Sequence, residues 1–105
     1  FYFLDPRPYE EKAARKFLSP ETAPVLRDIA GRLERSPEFT EDALTRMLQD
    51  LSAQTGLKMV NLAQPVRVAL TGKTASPGLT EIMAILGREE VLRRLGRALA
   101  FIQGG

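Results

Sequence analysis

The residues best suited to chemistry in this chain are a lone arginine and the short loop that follows it. Arg67 lies in an apolar helical pattern that closes at Gly72, and a polar stretch then leads to a new helix start at Ser76-Pro77. A helix start directs backbone N–H groups outward and favours anions or acceptor-rich ligands. A guanidinium adds a planar fork of five donors. The combination suits phosphates or the edges of nucleobases.

The composition disfavours catalysis and metal binding. The chain contains no histidine and no cysteine, which removes the commonest general base, the thiol nucleophile and two common metal ligands. The pairs Glu41-Asp42 and Glu89-Glu90 are neighbours in sequence, so a helix does not bring them onto one face. Gly72-Lys73-Thr74 resembles the end of a P-loop but lacks the upstream glycine and strand. We therefore predict no catalytic residue and no metal site.

The charge is distributed unevenly along the chain. Residues 1–57 hold eight Lys/Arg and ten Asp/Glu, a net of −2, whereas residues 58–105 hold seven and three, a net of +4. The two values add up to the overall charge of +2. The basic half carries Arg67 and the loop, which favours a polyanionic partner. A few arginines on solvated helix faces would give the same asymmetry.

The apolar spacing predicts an all-α fold, a compact bundle or cage of about five to six short helices, as a single domain over residues 1–105. Apolar residues recur at steps of three and four, and no alternating strand pattern is present. Pro65 should kink its helix or begin a new one. On the last helix, the arginines at 88, 93, 94 and 97 fall outside the apolar face. The predicted helices run over residues 9–18, 21–35, 41–55, 58–71, 79–86 and 88–103.

Capping residues and helix-stop glycines indicate where the predicted helices begin and end. Thr40 is a good N-cap, and Gly56, Gly72 and Gly87 are good stops. At the loop, Ser76 would be the N-cap, Pro77 N1, Gly78 N2 and Leu79 N3. Gly78 would let a ligand approach closely. The simpler interpretation is that Ser76 only caps a helix, and that Arg67 only extends to the surface or pairs with a carboxylate.

No apolar run reaches the roughly 20 residues of a membrane helix, and no secretory signal is visible. The missing cysteines fit a cytoplasmic protein. The chain opens on Phe1-Tyr2-Phe3-Leu4 without a methionine, and we expect it to be a fragment of a larger protein.

Residues 63–79 and 87–95 resemble the C-terminal anticodon-binding domain of bacterial glutamyl-tRNA synthetases, which are class I aminoacyl-tRNA synthetases. That family shows Ala-Gln-Pro-Leu-Arg-x-Ala-Leu-Thr-Gly, then Ser/Thr-Pro-Gly-Leu, then Leu-Gly-Lys/Arg-Glu-x-x-Leu-x-Arg-Leu. Here Val66 replaces the usual leucine. The aromatic entry and the spacing of residues 5–18 are also similar to the family, so the resemblance spans most of the chain.

The resemblance implies a helical cage that receives the anticodon loop of glutamate tRNA. Arg67 would bond a base or its phosphate, Ser76 and the N–H groups after it would meet a base, and Pro77 and Leu79 would offer apolar surface. Charge and position make Lys58, Lys73 and Arg88 candidates for phosphate contacts. The parent enzyme would use ATP and Mg²⁺, but the signatures that handle ATP in this class are absent, so this fragment should hold no cofactor and should not be an enzyme. Its partners would be tRNA and the catalytic part of the parent.

Two other functions remain open at this point. A helical protein-interaction domain could keep the same pattern and bind a polypeptide instead of RNA. RNA binding should weaken steeply with salt, whereas peptide binding in an apolar groove should depend on salt far less. An independent small enzyme is disfavoured by the composition.

Overall fold

The helical pattern of the sequence is present over nearly all the residues that the structure describes. The structure is a computed structural model, and it describes residue 9, residues 11–72 and residues 78–103. Within these ranges no strand occurs, so the predicted all-α class is confirmed. Six helices follow one another in these ranges: α1 (Glu11–Phe17), α2 (Ala23–Arg35), α3 (Glu41–Thr55), α4 (Met59–Thr71), α5 (Leu79–Leu86) and α6 (Arg88–Ile102).

The ends of α3 illustrate why the predicted boundaries agree so closely with the observed ones. The Thr40 side chain accepts a hydrogen bond from the backbone N–H of Ala43, as an N-cap should. At the other end Gly56 has a φ of 75° and donates its N–H to the Ser52 carbonyl. Only glycine adopts this left-handed conformation without a Cβ penalty.

The end of α1 and the start of α2 differ from the prediction because the residues between these helices form a tight turn. Thr22 Oγ accepts the Ser19 N–H at 3.1 Å and donates to the Phe17 carbonyl at 2.6 Å. The turn stops α1 at Phe17 instead of Leu18, and α2 begins at Ala23 instead of Glu21.

Helix α4 is the central helix of the fold, since it packs against each of the other five. Its length is continuous through Pro65, so the alternative in which Pro65 begins a new helix is wrong. Asn61, whose carbonyl a residue with an N–H at position 65 would bond, is exposed, and water can satisfy it. The buried residues of α4 are Leu62, Pro65, Val66, Val68, Ala69 and Leu70.

Arg94 corrects the predicted orientation of α6. The sequence places it among the solvated arginines, but it is only 4% exposed. Val91, Leu95 and Ala98 are its buried neighbours on α6, and α6 packs against α2, α4 and α5. A guanidinium tolerates such burial only when its donors are bonded, and Arg94 donates to Leu70 on α4 and to Glu90 on α6.

Candidate nucleic-acid interface

Arg67 lies on the partly exposed stripe of the central helix. Its chain neighbours Val66 and Val68 are fully buried, whereas Arg67 itself is half-buried. Residues three and four positions apart share a helix face, which places Gln64 and Thr71 beside it. Both are also half-buried, and Thr71 Oγ donates to the Arg67 carbonyl at 2.8 Å. The arginine therefore has its stem against the core and its backbone fixed in a rigid turn.

The helix carrying Arg67 ends at the loop that the sequence singled out. Gly72 has a φ of 80° and donates its N–H to the Val68 carbonyl, as predicted for a helix stop. From Arg67 to Gly72 the rise along the helix axis is about 8 Å. The predicted site residues Lys73, Ser76 and Pro77 lie outside the described residues.

Beyond the loop, α5 covers Leu79–Leu86, as the predicted range 79–86 has it. Gly78 has φ −50° and ψ 135°, which is not helical, and its carbonyl accepts the first intrahelical bond from the Ile82 N–H. Gly78 is therefore the N-cap of α5 and Leu79 its first residue, so the predicted placing of Gly78 at N2 and Leu79 at N3, with the cap at Ser76, is wrong. A glycine cap has no side chain to accept from the N–H groups of the first turn.

Gly78 and Leu79 differ in what they offer to a ligand. Gly78 is exposed, and among the described residues the nearest atom to a Cβ added there is Glu81 Oε2 at 3.9 Å. The Leu79 side chain is 5% exposed and belongs to the core, so it does not offer the apolar surface that was predicted for a base. The start of α5 therefore offers exposed backbone at Gly78 and is anchored in the core by Leu79.

Gln64 is a residue that the sequence reasoning missed. Its Oε1 is buried and accepts no hydrogen bond in the part of the chain that the structure describes. An unsatisfied buried acceptor costs about 1–3 kcal/mol, so it needs an explanation. Gln64 precedes Arg67 by three residues, and this i,i+3 spacing was the signal that could have found it. The stripe thus combines an arginine with an amide side chain, and together they carry both donors and an acceptor, which suits the mixed donor and acceptor edge of a base.

Two of the predicted phosphate ligands, Lys58 and Arg88, lie away from this stripe. Lys58 is exposed at the N-terminus of α4, about 14 Å along the axis from Arg67. Arg88 follows Gly87, at the far end of α5 from Gly78. Its Nη2 donates to the Ser36 carbonyl at 2.7 Å, and its guanidinium lies over the Phe39 ring at 5.7 Å. Arg88 thus holds the connection between α2 and α3.

An acidic residue organises the arginines of α6. Glu90 accepts from Arg93 Nε at 2.9 Å and from Arg94 Nε at 2.6 Å. These hydrogen bonds, from Arg93 first and Arg94 second, lower the pKa of Glu90 from 4.5 to about 2. Glu90 is therefore more than the solvated helix-start carboxylate that the sequence suggested.

Two further observations limit the chemistry of the described residues. No group of three or more His, Cys, Asp or Glu side chains in these ranges could hold a metal ion. Among the helices described, none is long and apolar enough to cross a membrane.

An open cavity of about 630 Å³ lies at the α5–α6 junction, lined by residues 86–90 and Arg93.

Fold and stripe together define an all-α module that presents a basic and an amide side chain on one face of its central helix. The family model described as "Anticodon binding domain" matches residues 1–99, and the chain belongs to that family. The resemblance inferred from residues 63–79 and 87–95 is confirmed.

The chain is similar to several proteins named glutamate–tRNA ligase. It is 46% identical to that of Thermus thermophilus over 100 residues, covering 95% of this chain and 21% of the relative. It is 41% identical to that of Thermodesulfovibrio yellowstonii over 99 residues, covering 94% and 21%. The chain thus spans about one fifth of the length of these relatives.

A solved structure shows the same helical arrangement. The crystal structure of a glutamate tRNA ligase from Elizabethkingia meningosepticum, in complex with its amino acid, matches with a TM-score of 0.87 and 26% identity. The match covers 94% of this chain and 20% of that one.

Proposed function

We propose that this chain binds the anticodon loop of glutamate tRNA as part of a glutamate–tRNA ligase. Family membership and the names of the relatives support the assignment. The observation that carries it is the Gln64–Arg67 stripe, in which a half-buried amide side chain, whose oxygen accepts no hydrogen bond from the described residues, precedes a half-buried arginine by three residues on one helix face. Bases of a single-stranded loop are splayed out and recognised at their Watson–Crick edges, which present both donors and acceptors.

Each site residue has a distinct part in this proposal. Arg67 donates its fork to a base edge or to the adjoining phosphate. Ser76 contributes a hydroxyl and Pro77 an apolar surface. Gly78 admits the ligand to the start of α5, because it is exposed and has no Cβ. Leu79 supports that start from the core, where its side chain is buried.

The phosphate contacts would come from basic residues at some distance from the stripe. Lys58 is exposed, which leaves its ammonium accessible to an RNA backbone. Lys73 would act from the loop, on charge and position in the sequence. Arg88 has part of its guanidinium bound to Ser36, so its contact would use the remaining donors. Each true phosphate contact should add about 0.7 to the slope of log affinity against log salt.

The wider assignment follows from the relatives. Residues 1–105 would form a single helical domain of a cytoplasmic enzyme whose catalytic part binds ATP and Mg²⁺ and ligates glutamate to tRNA. This chain supplies tRNA binding and no cofactor site. The absence of histidine and cysteine from the sequence supports that division of labour.

A titration of labelled anticodon stem-loops tests the proposal. The stem-loop of glutamate tRNA and one with substituted anticodon bases are titrated at two salt concentrations. We expect the first to bind more tightly and both affinities to fall steeply with salt. Equal affinity for the two sequences would refute anticodon recognition. If binding of RNA is not detected and an apolar peptide binds independently of salt, the chain is a protein-interaction domain instead.

A further inference from the structure

The C-terminal end of α4 is held in place by a residue of another helix. The last four carbonyls of a helix have no intrahelical donor, and in α4 one of them belongs to Leu70. Arg94 Nη1 donates to the Leu70 carbonyl at 2.6 Å. A cation at this position also interacts favourably with the negative end of the helix dipole. Arg94 therefore caps α4 from α6.

The capping arginine is itself fixed. Its Nε donates to Glu90 Oε2 at 2.6 Å, one turn earlier in α6, and its side chain is 5% exposed. The planar guanidinium bonds the carboxylate and the carbonyl from one rigid group, which a lysine ammonium on its flexible stem does less well. Removal of either partner would leave a buried charge or carbonyl with one bond fewer.

The capped turn is the turn that presents Arg67. Leu70 follows Arg67 by three residues, and Thr71 Oγ bonds the Arg67 carbonyl within the same turn. Gly72 then ends the helix immediately before the loop. A shift of the Leu70 carbonyl would therefore move both the guanidinium of Arg67 and the start of the loop.

We propose that Arg94, held by Glu90, is a positioning residue of the anticodon site. It sets where the last turn of α4 lies, and through that turn it aims Arg67 at the RNA without touching RNA itself. The inference rests on the proposed function for its RNA readout, and on the Arg94–Leu70 contact for its structural content.

A double-mutant cycle with Arg67 tests the positioning role. Arg94→Gln should weaken binding of the glutamate anticodon stem-loop about tenfold when Arg67 is present. In an Arg67→Ala background the same change should weaken binding less than about twofold, because there is no guanidinium left to aim. All variants are measured at a temperature where circular dichroism shows them folded. Arg94→Lys should recover part of the affinity, since its ammonium still donates to one of the two partners.

Arg46→Gln on α3 is the charge-matched control, because Arg46 is exposed on a different helix. It should not couple to Arg67. Equal losses from Arg94→Gln in both Arg67 backgrounds would overturn the proposal. Arg94→Gln could also reduce the slope of log affinity against log salt, as the loss of a phosphate contact does. In that case Arg94 would be a direct RNA contact instead.

A measurement without RNA separates this inference from the proposed function. In the unbound chain, Arg94→Gln should speed amide hydrogen exchange and shift the NMR resonances of residues 68–72, and leave α3 unchanged. Unchanged hydrogen exchange in this turn would refute the proposal that Arg94 holds the last turn of α4. If the turn responds but the unaltered chain does not distinguish the two stem-loops, the contact between Arg94 and Leu70 is confirmed as a support of this turn and the proposed anticodon function fails.

Discussion

Arg88 Nη2 donates a hydrogen bond to the carbonyl of Ser36, a residue 52 positions earlier, at 2.7 Å. The same guanidinium lies over the Phe39 ring, so one side chain of α6 holds the connection between α2 and α3. That connection has few other restraints of this kind, apart from the Ser36 hydroxyl bond to the Glu38 carbonyl. The contact has a measurable consequence for stability.

Arg88→Ala should lower the free energy of unfolding by about 1–3 kcal/mol, because it removes a charged hydrogen bond and a cation–π contact. Urea denaturation followed by circular dichroism measures the change. Arg46→Ala removes the same charge from an exposed position and should stay within about 0.5 kcal/mol of the unaltered chain. Similar stabilities for the two variants would show that the Ser36 contact contributes nothing.

Arg67→Ala should weaken binding of the glutamate anticodon stem-loop by about 1–3 kcal/mol, the range for a good polar contact to a base. The loss should be smaller for the stem-loop with substituted bases, since the contact that distinguishes them is gone. Fluorescence titration of both RNAs measures it, with Arg46→Ala as the control. An unchanged preference between the two RNAs would exclude Arg67 from base recognition.

Gly78→Ala separates ligand access from folding. The φ of −50° suits any residue, and the nearest atom of the described residues to an added Cβ is Glu81 Oε2 at 3.9 Å. Stability should therefore change by less than about 1 kcal/mol. Affinity for the stem-loop should nevertheless fall, because the methyl group would occupy space that the ligand needs. Full affinity in this variant would mean that the RNA does not come close to the start of α5.

Gly72 and Gly56 share a left-handed backbone, although Gly72 is buried and Gly56 exposed. Their φ angles are 80° and 75°, so the backbone strain of alanine at either position should cost about 1–2 kcal/mol of stability. Only Gly72 adjoins the loop, and only Gly72→Ala should also weaken RNA binding. Thermal unfolding and stem-loop titration of both variants decide this, and equal losses of affinity would assign the effect to stability alone.

Glu90 should make stability depend on acidity. Its pKa in the folded chain is about 2, against 4.5 in the absence of these partners. A lowered pKa stabilises the fold above the unfolded value, so this contribution should be complete above about pH 4.5 and be lost progressively as the pH falls towards 2. Urea denaturation between pH 6 and pH 2.5 measures it. Glu90→Gln should show a shallower loss over that interval, and the same curve for both proteins would contradict the assignment.

The sequence predicted the helices well where periodicity and caps coincide. Both ends of α3 follow from Thr40 and Gly56, whose side-chain chemistry and backbone freedom act locally. The range of α5 was predicted correctly, but its cap was not, because Ser76-Pro77 is the stronger local signal while the backbone of Gly78 adopts the cap geometry. Local preferences do not determine which of two nearby candidates caps a helix.

The side chains that organise the site were harder to predict, since their roles depend on contacts between helices. Periodicity treats an arginine as solvated, and it cannot show that Leu70, 24 residues away, supplies a carbonyl for Arg94. The unsatisfied oxygen of Gln64 depends on how α4 is covered by its neighbours. Arg67 was found because its charge interrupts an apolar run, which is a property of the sequence alone.

The helix that carries Arg67 is also the one in contact with all five others among those described. Most of its backbone cannot move without repacking the core, and Arg94 holds its last turn, so the protein side of the interface is preorganised. The entropic cost of recognition then falls mainly on the nucleotides, which must leave their stack and adapt to a rigid surface. Tight binding in such a system should favour anticodon loops whose bases already unstack easily.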